Sequence, residues 1–184
     1  MTEIEKIIKP ETTLEREIIV DPSFIEGAIW GMPRNGHPEG KVLYHIGHVL
    51  KNIDMYTSIE NRTHLRLIAI IHDTFKHKVD RSKPKIGDNN HGVIARNFAE
   101  KYIQDNDILT IIELHDYAYY LWRTANKNQE WDIARQGADQ FIKKLGKLIN
   151  LYMEFYLCDN STGNKTNDDF HWFQKIVQNY NLIH

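Results

Sequence analysis

From Lys41 onward, apolar residues recur at helical spacing. Val42, Ile46, Val49, Leu50 and Ile53 predict one helix, and Leu65, Ile68 and Ala69, with His72 in register, predict a second. Lys83-Pro84 and Gly87 punctuate the loop that follows, where Asp88 or Asn89 is expected to cap a third helix carrying Ile94, Ala95, Phe98 and Tyr102. Ile108, Ile111, Ile112, His115 and Tyr119 read as one further helix. Two more are expected near 130–145 and 147–159, then a polar loop from Asn160 to Asn167, then a last helix with Phe170, Phe173, Ile176, Val177 and Tyr180. Residues 1–40 read as a lead-in: a short helix, the Ile18-Ile19-Val20 stretch, a helix start at Asp21-Pro22, and an irregular loop marked by Gly31, Pro33, Gly36, Pro38 and Gly40. No hairpin signal, repeat or low-complexity tract interrupts this pattern. The expectation is an all-α helical bundle, one structural domain overall, in which segment 1–40 packs on a domain spanning 41–184.

Composition narrows the classes. A chain of 184 residues suits a single core, and 41% hydrophobic with 26% charged residues is ordinary for a globular protein. A formal net charge of -2 gives no global reason to expect a nucleic acid or an anionic membrane as partner. No apolar run spans a bilayer, and Met1 to Pro10 lacks the apolar centre of a signal peptide. Cys158 is the sole cysteine, so no intrachain disulfide can form; between Leu157 and Asp159 in an apolar stretch, it reads as a small buried hydrophobe. A reducing, cytoplasmic location is expected.

The ten histidines change the picture through their positions. His45 lies three residues after Val42 and four before Val49; His72 lies four after Ile68; His91 lies three before Ile94; His115 lies four after Ile111; Asp159 lies four after Phe155. Residues three, four or seven apart share a helix face, so five ionisable groups fall on the apolar faces of five helices. One inward histidine is most often a satisfied core residue. Five inward groups that must be paired or bound ask for a common partner, and a metal centre supplies it. Asp73, directly after His72, borders the same site and could bridge two metals. Mixed imidazole and carboxylate ligation suits divalent Fe, Mn, Co, Ni or Zn better than Ca or Mg.

The stretches His45-Ile46-Gly47-His48-Val49, Ile70-Ile71-His72-Asp73-Thr74-Phe75-Lys76 and Phe155-Tyr156-Leu157-Cys158-Asp159 resemble, in order, the motifs of the HD-domain superfamily of metal-dependent phosphohydrolases, over roughly residues 41–160. The resemblance implies an HD-domain helical bundle with ligands His45, His72, Asp73 and Asp159. His91 and His115 match the extended set of two-metal members, where they would hold the second ion with Asp73 as the bridge. It further implies that Lys76 lies near the site as a catalytic cation beside Asp73. His48 is treated as lying behind the ligands or on the surface, and His64, His77, His171 and His184 as surface residues. The Glu-Asp pair of guanosine tetraphosphate hydrolases and the Gly-Tyr-Pro signature of cyclic-di-nucleotide phosphodiesterases are absent, which disfavours both subfamilies.

Between Thr74 and Gly87, Lys76, Lys78, Arg81, Lys83 and Lys85 face one acid, Asp80. A positive field beside a metal site favours a small anionic substrate, phosphorylated for preference. Lys78 and Arg81 are candidate substrate-binding residues, as are Arg34 and His37, which with Lys41 flank the irregular loop. Asp116 and Tyr119 are candidates to orient groups or transfer protons. The expected activity is hydrolysis of a phosphomonoester or phosphodiester, a nucleotide among the candidates, by a metal-activated hydroxide. The alternative is an HD-type di-iron oxygenase acting on a small polar substrate. A homodimer is compatible with the sequence.

Overall fold

A computed structural model describes residues 1–183, with side chains through Tyr180. It has eleven α-helices among the described residues and no strand. Three short helices, α1 (Glu3–Ile8), α2 (Thr13–Ile19) and α3 (Pro22–Ala28), precede α4 (Val42–Tyr56), α5 (Arg62–Ile71), α6 (His91–Ala99) and α7 (Asn106–Leu114). Then come α8 (Tyr117–Asn128), α9 (Trp131–Leu145), α10 (Ile149–Asn160) and α11 (Asp168–Ile183). None of the described helices is long and apolar enough to cross a membrane.

The arrangement is centred on α5. Every residue from Leu65 to Ile71 is buried, so beyond its first turn this helix has no solvent face. It is surrounded by α4, α7 and α10. A helix apolar all round belongs inside a core, and each fully buried Leu or Ile contributes about 1.5–3 kcal/mol. The burial continues past its end through His72, Asp73, Thr74 and Phe75. The chain thus delivers a His-Asp pair to the interior by ending a core helix there. On the other side, α8, α9 and α11 pack together around Phe141, Tyr152 and Phe173.

Two expectations about element boundaries are corrected. The helix expected through Ile108 and Tyr119 is two helices, α7 and α8, broken at His115-Asp116. Tyr152 holds the break from behind: its hydroxyl donates to the His115 carbonyl (3.0 Å) and accepts from the Ala118 N–H (3.3 Å). A periodic apolar pattern continues through such a corner, because both helices pack on the same core. The cap of α6 is Asn90, whose side chain accepts from the Gly92 N–H, in place of Asp88 or Asn89.

The lead-in is tied to α5 by ion pairs of Arg62 and Arg66 with Glu11 and by a buried pair of Arg66 with Glu15. Arg66, within the buried part of α5, makes a bidentate pair with buried Glu15 (2.8 and 3.0 Å) and donates to the carbonyls of Ile8 and Lys9. A buried carboxylate that loses its cation keeps its desolvation cost. Arg66→Ala should therefore destabilise the fold by about 3–5 kcal/mol, whereas Arg66→Met combined with Glu15→Leu should restore most of it. Urea unfolding midpoints of the two variants check this; equal losses in both would mean that the ion pair is not what holds the lead-in.

Candidate metal centre

Six side chains from five places in the chain meet at the floor of one cavity. His45 comes from the second turn of α4, and His72 and Asp73 follow the end of α5. His91 is the first residue of α6, His115 caps the end of α7, and Asp159 sits one residue from the end of α10. The four imidazoles and Asp73 are buried, and Asp159 is nearly so.

Asp73 divides the cluster. Its Oδ2 lies 3.5 Å from His45 Nε2 and 3.6 Å from His72 Nε2, and its Oδ1 lies 3.5 Å from His91 Nε2 and 3.4 Å from His115 Nε2. Asp159 Oδ1 joins the first pair, 2.9 Å from His45 Nε2 and 3.7 Å from His72 Nε2. Within each pair the ring nitrogens face one another, His45 and His72 at 3.3 Å, His91 and His115 at 3.0 Å. Among the described residues three groups could each hold a metal ion: His45, His72 and Asp159; Asp73, His91 and His115; and His37, Glu39 and His45, which shares His45 with the first.

The donor chemistry fits a cation. His72 Nδ1 is 2.9 Å from the Ala69 carbonyl and His115 Nδ1 is 2.8 Å from the Ile112 carbonyl. Only an N–H can pair with a carbonyl oxygen, so Nδ1 carries the proton and Nε2 turns its lone pair inward. Asp73 Oδ1 and Asp159 Oδ1 are buried without a hydrogen-bond partner. Buried acceptors facing bare imidazole nitrogens are costly unless something positive lies between them.

Without a metal, that positive charge must be protons. Burial opposes the imidazolium of His115, but the Asp116 and Asp73 carboxylates outweigh it and raise its pKa to about 9. Burial also opposes charge on His45, and Asp159 and Glu39 raise it above the ordinary histidine value. Burial dominates at His72 and His91, whose pKa values fall. Asp73 lies well below the carboxylate range: burial works against its charge, and Lys76 with the surrounding imidazoles prevails.

The cavity above this floor holds about 500 Å³, a size that suits a small metabolite. Lys76 and Lys165 stand at its base. Lys76 Nζ is 2.5 Å from Asp73 Oδ2; Lys165 Nζ is 3.1 Å from the Asp159 carbonyl and 3.8 Å from its Oδ1. Arg34, Arg81, Lys85 and Arg123 contribute cations further out, and Trp30, Tyr119 and Trp122 contribute aromatic surface. His37 also lines the cavity; its Nδ1 is 3.0 Å from Glu39, which in turn stands 3.4 Å behind His45 Nδ1. Burial works against the Glu39 charge, yet the two imidazoles hold its pKa down at about 2.

Several candidates fall elsewhere. Lys78 is exposed with its ammonium over the Phe75 ring and does not line the cavity. Lys41 starts α4 and reaches Glu3 at 3.7 Å, away from the mouth. His48 and His171 are exposed, as a surface role requires. His77 is not a free surface residue: it is largely buried, with Nδ1 3.1 Å from the Thr74 carbonyl, because the turn after Asp73 folds back on itself. His64 is partly covered, 3.7 Å from Asp105. His184 lies outside the described residues. Glu39 and Lys165 were not singled out by sequence, since both sit in irregular loops without periodicity. Their only local signals are Pro38-Glu39-Gly40 and an isolated cation in the polar loop after Asp159.

Comparison of the chain with protein-family models, with curated proteins and with solved structures finds no match.

The distance between the two histidines of the second group depends on Gly92. A Cβ there would lie 2.3 Å from the Glu113 carbonyl oxygen, so α6 can approach α7 this closely only with glycine. Gly92→Ala should force the helices apart, cost about 1–3 kcal/mol and lower the metal content of the purified protein; full retention of metal would separate the helix spacing from the site. A protonated imidazole offers no lone pair, so Mn(II) binding should displace protons and tighten as pH rises toward 9. Calorimetric titration in two buffers of different ionisation enthalpy counts the protons, and a count of zero would remove these imidazoles from the ligand set.

Proposed function

We propose that the protein is a metal-dependent phosphohydrolase of the HD-domain type, acting on a small phosphate ester. The observation that carries this reading is the division of Asp73, one buried carboxylate oxygen toward each imidazole pair. His45, His72, Asp159 and Asp73 Oδ2 would hold one divalent transition metal, and His91, His115 and Asp73 Oδ1 a second. When bound, such a pair supplies Lewis acidity toward a phosphoryl group and lowers the pKa of water.

The residues of the chain support a phosphorylated substrate in particular. Burial opposes the Lys76 ammonium, but Asp73, Asp116 and Asp159 outweigh it and raise its pKa, so it stays charged beside the reacting centre. Its position against Asp73 lets one of its three N–H donors hold the carboxylate and leaves others for a phosphoryl oxygen. Lys165 offers a second cation on the Asp159 side. A dianionic phosphate would thus meet positive charge from both flanks, in a recess where such charges are worth more than in water. The organic part of the ester would lie against Trp30, Tyr119 and Trp122, with the outer arginines steering anions inward. The loops carrying Gly36 and Asn164 are joined beside the cavity by a 3.0 Å hydrogen bond. A single buried thiol, Cys158, fits a cytoplasmic enzyme.

Metal-reconstituted protein, loaded in turn with Mn, Co, Ni and Fe, should release phosphate from members of a panel of phosphorylated metabolites and nucleotides. Asp73→Ala should abolish release. Lys76→Met should keep its metal and lose about 10²–10³ in kcat. Absence of phosphate release with every metal, together with dioxygen uptake by the iron form, would replace the hydrolase with the di-iron oxygenase.

A further inference from the structure

The chain builds the same corner twice. α5 ends on His72 followed by Asp73, and α7 ends on His115 followed by Asp116. Each histidine is the C-cap of its helix and keeps helical backbone angles, φ -47° and ψ -44° at His72, φ -54° and ψ -36° at His115. In each, Nδ1 reaches the carbonyl three residues back, at 2.9 and 2.8 Å, so Nε2 faces inward. The aspartate that follows then turns into the same space. Asp116, at φ -87° and ψ 0°, places Oδ2 3.4 Å from His91 Nε2 and Oδ1 3.8 Å from His115 Nε2. Asp73 Oδ1 stands at nearly the same distances from these two nitrogens, 3.5 and 3.4 Å.

The two halves of the centre differ if Asp116 is left out. The first has two imidazoles, one oxygen of Asp73 and a carboxylate of its own, Asp159. The second has two imidazoles and one oxygen of Asp73 only. We propose that Asp116 is a ligand of the second metal ion, so that each half consists of two imidazoles, one carboxylate of its own and a share of Asp73. This assignment rests on the two-metal reading above. Divalent ions prefer more than three donors, and a charged oxygen beside His91 and His115 supplies the fourth. Three carboxylates do not neutralise two divalent cations, so the completed centre keeps a net positive charge toward an anion. The corner that presents Asp116 is fixed from behind by Tyr152, whose hydroxyl bridges the His115 carbonyl and the Ala118 N–H. The competing role is a carboxylate that accepts an N–H from His91 or His115 and never touches metal.

Metal-stripped full-length protein is titrated with Mn(II) by equilibrium dialysis, and the bound ions are examined by electron paramagnetic resonance. Wild type should hold two ions per chain with an exchange-coupled spectrum. Asp116→Ala and the near-isosteric Asp116→Asn should keep one ion, lose more than about 100-fold in affinity for the other, beyond the roughly 10–100-fold that removal of a carboxylate touching only a ligand's N–H costs, and give the spectrum of isolated Mn(II). Circular dichroism verifies the fold of each variant. Two ions in the variants with the coupling retained, and affinity unchanged or lowered by no more than about 100-fold, would overturn the assignment of Asp116 and leave the two-metal reading standing. Fewer than two ions in wild type would overturn both. Should neither variant fold, a crystal structure of Mn(II)-loaded wild type decides: an Asp116 oxygen bonded to the ion supports the assignment, and an intervening water rejects it.

Discussion

The structure is organised around a carboxylate that has been taken out of water. Asp73 follows the buried end of a core helix, with four imidazole nitrogens between 3.4 and 3.6 Å from its two oxygens. An ionised carboxylate at such a place is tolerated only if positive charge is held around it. Lys76 supplies part of that charge, and the raised pKa values of His45 and His115 show the same demand being met by protons. His72 and His115 turn Nε2 inward because their Nδ1 atoms are committed to backbone carbonyls, and His45 Nδ1 stands 3.4 Å from Glu39. That the cluster could hold a metal ion therefore follows from how the helices end.

The rest of the fold keeps those helix ends together. Gly92 lets α6 approach α7, and Gly27 does the same for α3, where a Cβ would lie 1.8 Å from the Thr74 carbonyl oxygen. Tyr152 fixes the corner at His115-Asp116 from the far side, and Asn52 donates to the carbonyls of Cys158 and Ser161 around Asp159. Phe155 closes the apolar side of the centre, its ring edge-on to His72 at 5.1 Å between centroids. These contacts limit the rotamers open to the ligands, which is what preorganisation of a charged site consists of.

Function, as proposed, depends on an asymmetry between floor and walls. The floor is acidic and holds cations; the base and mouth are cationic and draw anions. Lys76 joins the two, paired to the central carboxylate on one side and open to the cavity on the other. A substrate carrying phosphate would satisfy both layers at once, whereas a neutral polyol would leave the lysines and arginines without a counter-charge.

The order of helices and the residues of the centre were legible in the sequence because both follow from local periodicity. His45, His72, His91, His115 and Asp159 stand in register with apolar neighbours, and a residue in register with a core face must be buried with it. The same logic failed at the break between α7 and α8, since an apolar pattern continues through a corner when both arms pack on one core. It could not identify Glu39 or Lys165, whose loops have no period, and the basic stretch offered Lys78 as a substrate-binding residue although its side chain turns away from the cavity. Which oxygen of Asp73 meets which imidazoles, and whether Asp116 stands among them, depends on where separate helix ends meet. That is a property of packing over long sequence separations, and only the tertiary structure decides it.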